Sequence, residues 1–280
     1  MATPTPEQTI LGYNNAVFEV RSRVENFARV AWAAAGSWRD ADVDRLVAQI
    51  VPKVQAGQIR TAQLTAAYLA SLQTIRTRER VAAVTVDREL VLASRGVAAE
   101  TVYRRPAATM YASLAKGASL TTSVTAGLNR LQSLVATDHQ LAKTAQARRS
   151  LARGGFQYMR RTLTGRENCA LCAIASTQRY RVQDLLPIHP GCDCGIDTVS
   201  ANTDPGQVLD PDALELIHSA VEGEFGSSER AARYIDGRNE RSDYLDLIVV
   251  REHGELGPVL TWRDQHFTSK ADLPAYDSAP

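Results

Sequence analysis

Four cysteines lie close together in this chain, and their spacing constrains the fold more than any other feature. They form two pairs, Cys169 with Cys172 and Cys192 with Cys194, and the chain contains no others. A two-residue gap lets both thiolates of a pair turn toward one metal ion, and a second close pair completes a tetrahedron. The segment has few apolar residues, so metal binding would supply much of its folding free energy. We therefore predict a structural zinc site within residues 169–194.

His189 is a fifth candidate ligand, because it stands just before the second cysteine pair in the run His189-Pro190-Gly191. Pro and Gly bend the chain, which would let the histidine and the cysteines face the same ion. A structural zinc ion takes four ligands. The all-cysteine set therefore competes with three-cysteine sets that include His189, and the spacing favours the all-cysteine set only slightly.

Three other interpretations of the cysteines are weaker. A disulfide framework is typical of secreted proteins, and the first residues lack the basic and apolar regions of a signal peptide. A redox Cys-x-x-Cys motif is expected in a βαβ setting, which the flanking sequence does not suggest. A catalytic zinc ion needs an open position and a general base; Glu167 and Asp193 are nearby, but their spacing marks neither one. We expect no catalytic residues and no enzyme activity.

The rest of the sequence predicts a mainly α protein with a small α+β module. Apolar residues recur at helical spacing over residues 7–35, 41–56 and 58–80, with Pro52 expected to kink or end the second helix. A helix is favoured for residues 81–102, Pro106 suits the first turn of a helix that stops at Gly117, and Ser119 suits the cap of a helix that runs to about Arg153. No apolar run is long enough to span a membrane, so we expect a soluble protein made in a reducing compartment.

Composition changes after Gly154-Gly155, and three domains are predicted. Residues 1–153 form a helical domain, residues 154–200 a Cys-rich, zinc-stapled module, and residues 201–280 an acidic α+β segment. Within the last segment, helices are expected at about 210–222 and 228–236. A β-hairpin is expected at about 245–262, where two apolar runs flank a glycine-containing turn.

Charge is distributed unevenly along the chain. Residues 130–181 contain ten Lys or Arg residues and two acidic residues, whereas residues 201–280 contain 16 acidic and seven basic residues. A solvated helix face explains most such clusters, and contact with a polyanion or an acidic protein is the alternative. The candidate contact residues are Arg130, Lys143, Arg148, Arg149, Arg153, Arg160 and Arg161.

The cysteine segment resembles a known signature. Asn168-Cys169-Ala-Leu-Cys172 followed by Ile188-His189-Pro190-Gly191-Cys192-Asp193-Cys194 is similar to the Cys-x-x-Cys…His-Pro-x-Cys-x-Cys motif of MuF-like minor capsid proteins, the phage head morphogenesis family. Its flanks resemble members from phages of actinobacteria, at residues 160–165, 184–188, 235–238 and 250–260. The resemblance covers about residues 100–265 well and the N-terminal helices more loosely.

This resemblance implies a minor component of a tailed-phage virion. Such a protein is made in the host cytoplasm and packaged into the capsid interior. Its expected partners are the portal protein and capsid or scaffold components, and packaged DNA bound without sequence specificity; no membrane is involved. The alternatives are an internal virion protein that binds nucleic acid and, more remotely, a metal-dependent or other enzyme. For an enzyme, the acid–base groups would be His253 with Glu252 or Glu255, together with His266.

Overall fold

The chain forms two compact units, residues 1–154 and residues 155–280. The computed structural model describes residues 4–164, 170–176, 179–186, 192, 194–199, 211–226, 234–235, 241–242, 248–253 and 257–267. Within these ranges the protein is mainly helical, with a small antiparallel sheet module, a cysteine cluster and a C-terminal β-hairpin, which confirms the predicted fold class. No helix in these ranges is both long and apolar enough to cross a membrane.

The first unit begins with two long helices, α1 (Pro6–Ala33) and α2 (Asp40–Thr77). Thr5 caps α1: its side chain accepts from the backbone N–H of Gln8, and the Gln8 side chain accepts from the backbone N–H of Thr5. This reciprocal pair satisfies donors that a helix start leaves unpaired. The expected helix at 7–35 is thus confirmed.

Helix α2 replaces the two helices expected at 41–56 and 58–80. Pro52 lies inside α2 and does not end it, so the predicted division into two helices was wrong. The apolar stripe continues on both sides of the proline, with Ile50, Val51 and Val54 almost fully buried. Packing of this stripe offsets the hydrogen bond that proline removes.

The helix favoured for residues 81–102 is also wrong. Residues 80–87 have no regular secondary structure, α3 spans only Arg88–Leu92, and α4 (Ala99–Ala115) follows. The chain leaves α2 through Arg78, whose φ of 59° is left-handed, and Val81 then donates its N–H to the Thr74 hydroxyl. Pro106 lies within α4 rather than in its first turn.

Helix α5 (Leu120–Arg153) is the central helix of the first unit. Gly117, with φ of +85°, ends the preceding segment, and the Ser119 side chain caps α5, as the sequence predicts. Helices α1, α2, α3 and α4 all pack against α5. Every residue from Thr137 to Thr144 is buried, although most are polar. The apolar core lies at the other end, where Trp32, Met110 and Leu131 meet.

The second unit contains a three-stranded antiparallel sheet with order β2-β1-β3, formed by β1 (Tyr158–Thr162), β2 (Arg179–Arg181) and β3 (Gly195–Val199). Helix α6 (Ala170–Ser176) precedes β2, and a short 3₁₀ helix (Val182–Asp184) follows it. Helix α7 (Pro211–Phe225) comes next, close to the predicted 210–222.

Two short hairpins complete the second unit. Strands β4 (Tyr234–Ile235) and β5 (Arg241–Ser242) pair with each other, so the end of the helix expected at 228–236 is strand instead; residues 227–233 lie outside the described ranges. Strands β6 (Ile248–His253) and β7 (Gly257–Trp262) form the predicted C-terminal hairpin.

One apolar cluster joins α6 to the acidic C-terminal segment. Ala173 and Ile174 of α6 pack with Ile217 and Val221 of α7, and Ile248, Phe225 and Trp262 border this cluster. The sequence treats 154–200 and 201–280 as separate domains, whereas the structure places both within one compact unit.

Candidate metal centre

Three of the five predicted ligands converge in the second unit. Cys172 lies on α6, and Cys192 and Cys194 lie just before β3. The Sγ atoms of Cys172 and Cys192 are 3.1 Å apart, those of Cys192 and Cys194 are 3.4 Å apart, and all three lie within 4.8 Å of one another. All three cysteines are buried. This group could hold a metal ion.

The donor set fits a tetrahedral thiophilic ion. With Zn–S bonds of about 2.3 Å, sulfurs at two corners of a tetrahedron are about 3.8 Å apart. The two separations of 3.1 Å and 3.4 Å are slightly shorter than this value, so small side-chain rotations would bring the three sulfurs onto three corners. Cys169 and His189, the candidates for the fourth corner, lie outside the described residues.

An apolar shell surrounds the three sulfurs. Leu171 and Ala175 of α6 are buried beside them, and Leu163, Tyr180, Ile248, Leu260 and Trp262 pack against this group. Cys172 is 0% exposed, and Cys192 and Cys194 are each 2% exposed. Because the shell keeps water away from the described sulfurs, charge on them must be balanced by protein groups or by a bound cation.

Arg161 places a positive charge beside the cluster. Strand β1 alternates, so Met159 and Arg161 point inward while Tyr158 and Arg160 point outward. The Arg161 Nη1 donates to the Cys194 Sγ at 3.2 Å, and Nη2 donates to the Leu186 carbonyl. The guanidinium also lies over the Tyr180 ring, 5.7 Å from its centroid. Arg161 is 2% exposed, and a cation so deeply buried needs a negative partner.

The pKa shifts describe how this environment resists ionisation of the sulfurs. For Cys192, the hydrogen bond with Cys172 lowers the pKa of the thiol. The hydrogen bond to Cys194, burial and the charge of the neighbouring sulfur outweigh this effect and raise the pKa to about 12. Burial likewise raises the pKa of Tyr180 to about 12. Burial opposes the charge on Arg161, yet its contacts with Cys194 leave the pKa of Arg161 raised. A bound cation would reverse this balance for the sulfurs, because a coordinated thiol loses its proton.

The seven candidate contact residues do not form one exposed surface. Lys143 and Arg161 are buried, at 4% and 2% exposure, because α5 is surrounded by helices and because Arg161 faces the cysteines. These two residues are therefore removed from the predicted contact set. Arg149 pairs with Asp87 at 3.2 Å. Arg148 and Arg153 are exposed, and Arg130 and Arg160 are half-buried.

Arg161 was predicted to be a contact residue, but it lies beside the cysteines, a position that the sequence did not predict. The signal that could have revealed this role is the alternation in Tyr158-Met-Arg-Arg-Thr162, which puts Met159 and Arg161 on one face. The alternation indicates an inward-facing Arg161 only once the segment is recognised as a strand.

Comparisons with protein-family models, with curated proteins and with solved structures found no match for this chain. The resemblance to the head morphogenesis family therefore rests on the residues quoted for it above.

Proposed function

We propose that the second unit is built around a structural zinc ion held by Cys172, Cys192, Cys194 and one further ligand, either Cys169 or His189. The observation that carries this proposal is the convergence of three buried sulfurs, one of which, in Cys194, accepts a hydrogen bond from the buried guanidinium of Arg161. Three neutral thiols would leave that cation without a negative partner among the described contacts. Thiolates on a zinc ion carry net negative charge and supply one.

The chemistry of the donors favours zinc over the common hard cations. Sulfur ligands select zinc, copper(I) or iron, whereas magnesium and calcium prefer oxygen. The burial of the three sulfurs favours a structural role, because a catalytic zinc ion keeps a position open to water or substrate. The apolar shell joins α6 to the C-terminal hairpin through the cysteines, so the ion would fasten these elements together.

For the whole protein we propose a role as a minor capsid protein of a tailed phage. The protein would take part in head morphogenesis, be packaged inside the capsid and associate with the portal vertex. Support comes from the resemblance of the cysteine and flanking motifs, and from the convergence of cysteines that such a motif implies. The partners proposed on this basis are the portal protein and capsid or scaffold components.

The capsid role is tested by asking where the protein goes during assembly. We would co-express it with the portal, scaffold and major capsid proteins of the encoding phage, purify procapsids on a density gradient, and identify their proteins by mass spectrometry. The proposal predicts co-sedimentation with procapsids and capture by the portal protein alone. Recovery only in the unassembled fraction, with no capture by the portal protein, would contradict it.

A chelator tests the zinc ion independently of assembly. Treatment with a strong zinc chelator should unfold the second unit, seen as faster proteolysis after residue 154, and leave helix α5 protected. Addition of zinc should restore protection, because binding free energy becomes folding free energy. Equal protection of both units before and after treatment would contradict a structural zinc ion.

A further inference from the structure

The cysteine cluster contains one pair of sulfurs that is well placed to form a bond. Cys172 lies on α6 and Cys192 lies just before β3, 20 residues further along the chain, and their Sγ atoms are 3.1 Å apart. A disulfide bond is about 2.05 Å long, so the two sulfurs are not bonded and would have to approach by only about 1 Å. Rotation of the two side chains supplies a displacement of this size.

The third sulfur is less suited to such a bond. The Sγ of Cys194 lies 3.4 Å from that of Cys192, but a single residue separates these two cysteines in the chain. A bond between them would close a very small ring and strain the backbone within it. Cys194 also accepts the hydrogen bond from Arg161 at 3.2 Å, which holds its side chain toward β1. Among the three described cysteines, the geometry therefore selects Cys172 and Cys192.

Burial favours a disulfide over further oxidation of one sulfur. Cys172 is 0% exposed and Cys192 is 2% exposed, inside the apolar shell described above. A sulfur that has been oxidised to sulfenic acid either condenses with a second thiol or takes up more oxidant and becomes sulfinic acid. Here the second sulfur is already in contact, whereas another oxidant molecule would have to enter the shell. The shell also excludes bulky oxidants, so the oxidant considered is hydrogen peroxide, which is small and uncharged.

We propose that Cys172 and Cys192 form a reversible redox switch, which holds zinc when reduced and closes into a disulfide when a peroxide oxidises it. One thiolate attacks the peroxide, breaks its O–O bond and becomes sulfenic acid, and hydroxide leaves. The second thiolate attacks the sulfenic sulfur and forms the S–S bond, and a second hydroxide leaves. Two protons from solvent convert the hydroxides into water, and the two electrons lost by the sulfurs reduce the peroxide.

The switch exchanges one link between α6 and β3 for another. Once the disulfide has formed, only Cys194 and the one further ligand remain for the zinc ion. A structural zinc ion takes four ligands, so the ion is released. The disulfide still joins α6 to the chain just before β3, so the second unit stays folded without the ion. The metal thus stabilises the unit in a reducing environment, and the disulfide stabilises it in an oxidising one.

This inference deepens the proposed zinc site, and its zinc-release step rests on that proposal. The disulfide step rests on the positions of the two sulfurs and does not require the ion. A natural protein that contains no zinc but forms the Cys172–Cys192 bond would contradict the zinc site and support the disulfide step. A natural protein that contains zinc but forms other oxidation products would contradict the switch alone.

The test is oxidation of the full-length, zinc-loaded protein with hydrogen peroxide, followed by peptide mapping without reductant. Endoproteinase Asp-N cuts between Cys192 and Cys194, and chymotrypsin cuts between Cys169 and Cys172, so mass spectrometry of the digest assigns every pairing. A chromophoric zinc indicator measures release of the ion. Protein oxidised in urea is the control, because it shows the pairing that the unfolded chain prefers.

Limited proteolysis of the oxidised protein measures whether the disulfide replaces the ion. Two variants are compared: Cys194→Ser loses a zinc ligand but keeps the reacting pair, whereas Cys172→Ser loses a zinc ligand and the pair together. Both variants lack the ion, so a difference in protection between them after oxidation reports on the disulfide.

We expect a Cys172–Cys192 disulfide as the main product and release of about one zinc ion for each disulfide formed. Proteolysis after residue 154 should stay as slow as in the zinc-bound protein. Reduction in the presence of a chelator should make it fast, and reduction in the presence of zinc should restore the ion and the protection. Oxidised Cys194→Ser should be protected, and oxidised Cys172→Ser should not.

Four results would overturn the proposal. The first is cysteines that stay reduced or become sulfinic acids, and the second is a main product that joins Cys192 to Cys194 or joins either member of the pair to Cys169. The third is the same mixture of products in urea as in the folded protein. The fourth is fast proteolysis of the oxidised natural protein, because the disulfide would then fail to replace the ion.

Discussion

Arg161 donates a hydrogen bond from Nη1 to the Sγ of Cys194 at 3.2 Å, inside an apolar shell. This contact joins the central strand β1 to the cysteine cluster. A hydrogen bond from a residue that does not bind the metal to one that does orients the metal-binding residue and changes the metal affinity. The relationship also explains why a full positive charge is tolerated at 2% exposure, since metal-bound thiolates would balance it.

Replacing Arg161 with methionine should weaken zinc binding about 10- to 100-fold, because the hydrogen bond to Cys194 and the compensating charge are both lost. Competition with a chromophoric chelator measures the affinity. Arg161→Lys keeps the charge and should retain part of it. Cobalt(II) substitution provides a spectroscopic check, since the thiolate charge-transfer band should shift in both variants. Unchanged affinity and spectrum in Arg161→Met would show that the contact does not act on the metal.

Gly57→Ala should destabilise the first unit by about 1–3 kcal/mol, because overpacking forces its neighbours to move. A Cβ at Gly57 would lie 2.5 Å from His139 Nε2 and 2.9 Å from Val24 Cγ2. The control is Gly12→Ala on α1, where a Cβ meets nothing within 4 Å; that change should stabilise the helix by about 0.5–1 kcal/mol. Urea unfolding measures both. Similar effects of the two substitutions would refute the close approach of α2 and α5.

Asp138→Asn should destabilise the protein by about 3–5 kcal/mol, because it leaves Arg95 buried without its charge partner. The Asp138 carboxylate accepts from Arg95 Nε at 2.8 Å and from the Tyr103 hydroxyl at 2.7 Å. Asp44→Asn is the matched control: it breaks an exposed pair with Arg104 and should change the free energy of unfolding by less than about 1 kcal/mol. Comparable losses in the two variants would argue against a buried network.

His139 should make the protein less stable in mild acid. Burial lowers its pKa, outweighing the opposing influence of the Val135 carbonyl and Asp138, while Arg21 adds to the decrease. Nδ1 donates to the Val135 carbonyl at 2.8 Å, so a second proton would have to bind Nε2, which faces Gly57. Because the unfolded histidine has a pKa near 6.5, the stability is fully present above that value. It is lost as pH falls from there toward the folded pKa.

The measurement is urea unfolding of the natural protein and His139→Gln between pH 7.5 and pH 5. The natural protein should lose stability relative to the variant by at most about 1.4 kcal/mol per pH unit. Taking the difference between the two removes the contributions of carboxylates and of metal release, which both proteins share. Parallel pH profiles would exclude His139 as the source.

Local signals predicted the parts of this fold that local interactions decide. The Ser119 cap, the Gly117 stop and the C-terminal hairpin depend on short-range chemistry, and the structure has all three. The helix break expected at Pro52 does not occur, because the buried apolar stripe of Ile50, Val51 and Val54 continues past the exposed proline. Among the basic residues of α5 expected on a solvated face, Arg148 and Arg153 are exposed, whereas Lys143 is buried by the surrounding helices.

The candidate metal site was predictable in part. The spacing of Cys172, Cys192 and Cys194 identified residues that the structure brings together. The spacing could not identify Arg161, because its partner Cys194 is 33 residues away and the contact depends on the pairing of β1 with β3. When two arginines are adjacent in a strand of five residues, the sequence alone does not show which of them points inward.

The central claim is that the cysteine cluster binds a structural zinc ion, and metal content per chain tests it most directly. We would purify the natural protein without chelator and determine zinc by elemental analysis, with Cys172→Ser and Cys194→Ser as variants and Arg148→Gln as the control. About one zinc ion per chain is expected in the natural protein and the control, with zinc and thermal stability lost together in both cysteine variants. A natural protein that contains no metal, with all its cysteines present as free thiols or disulfides, would contradict the claim.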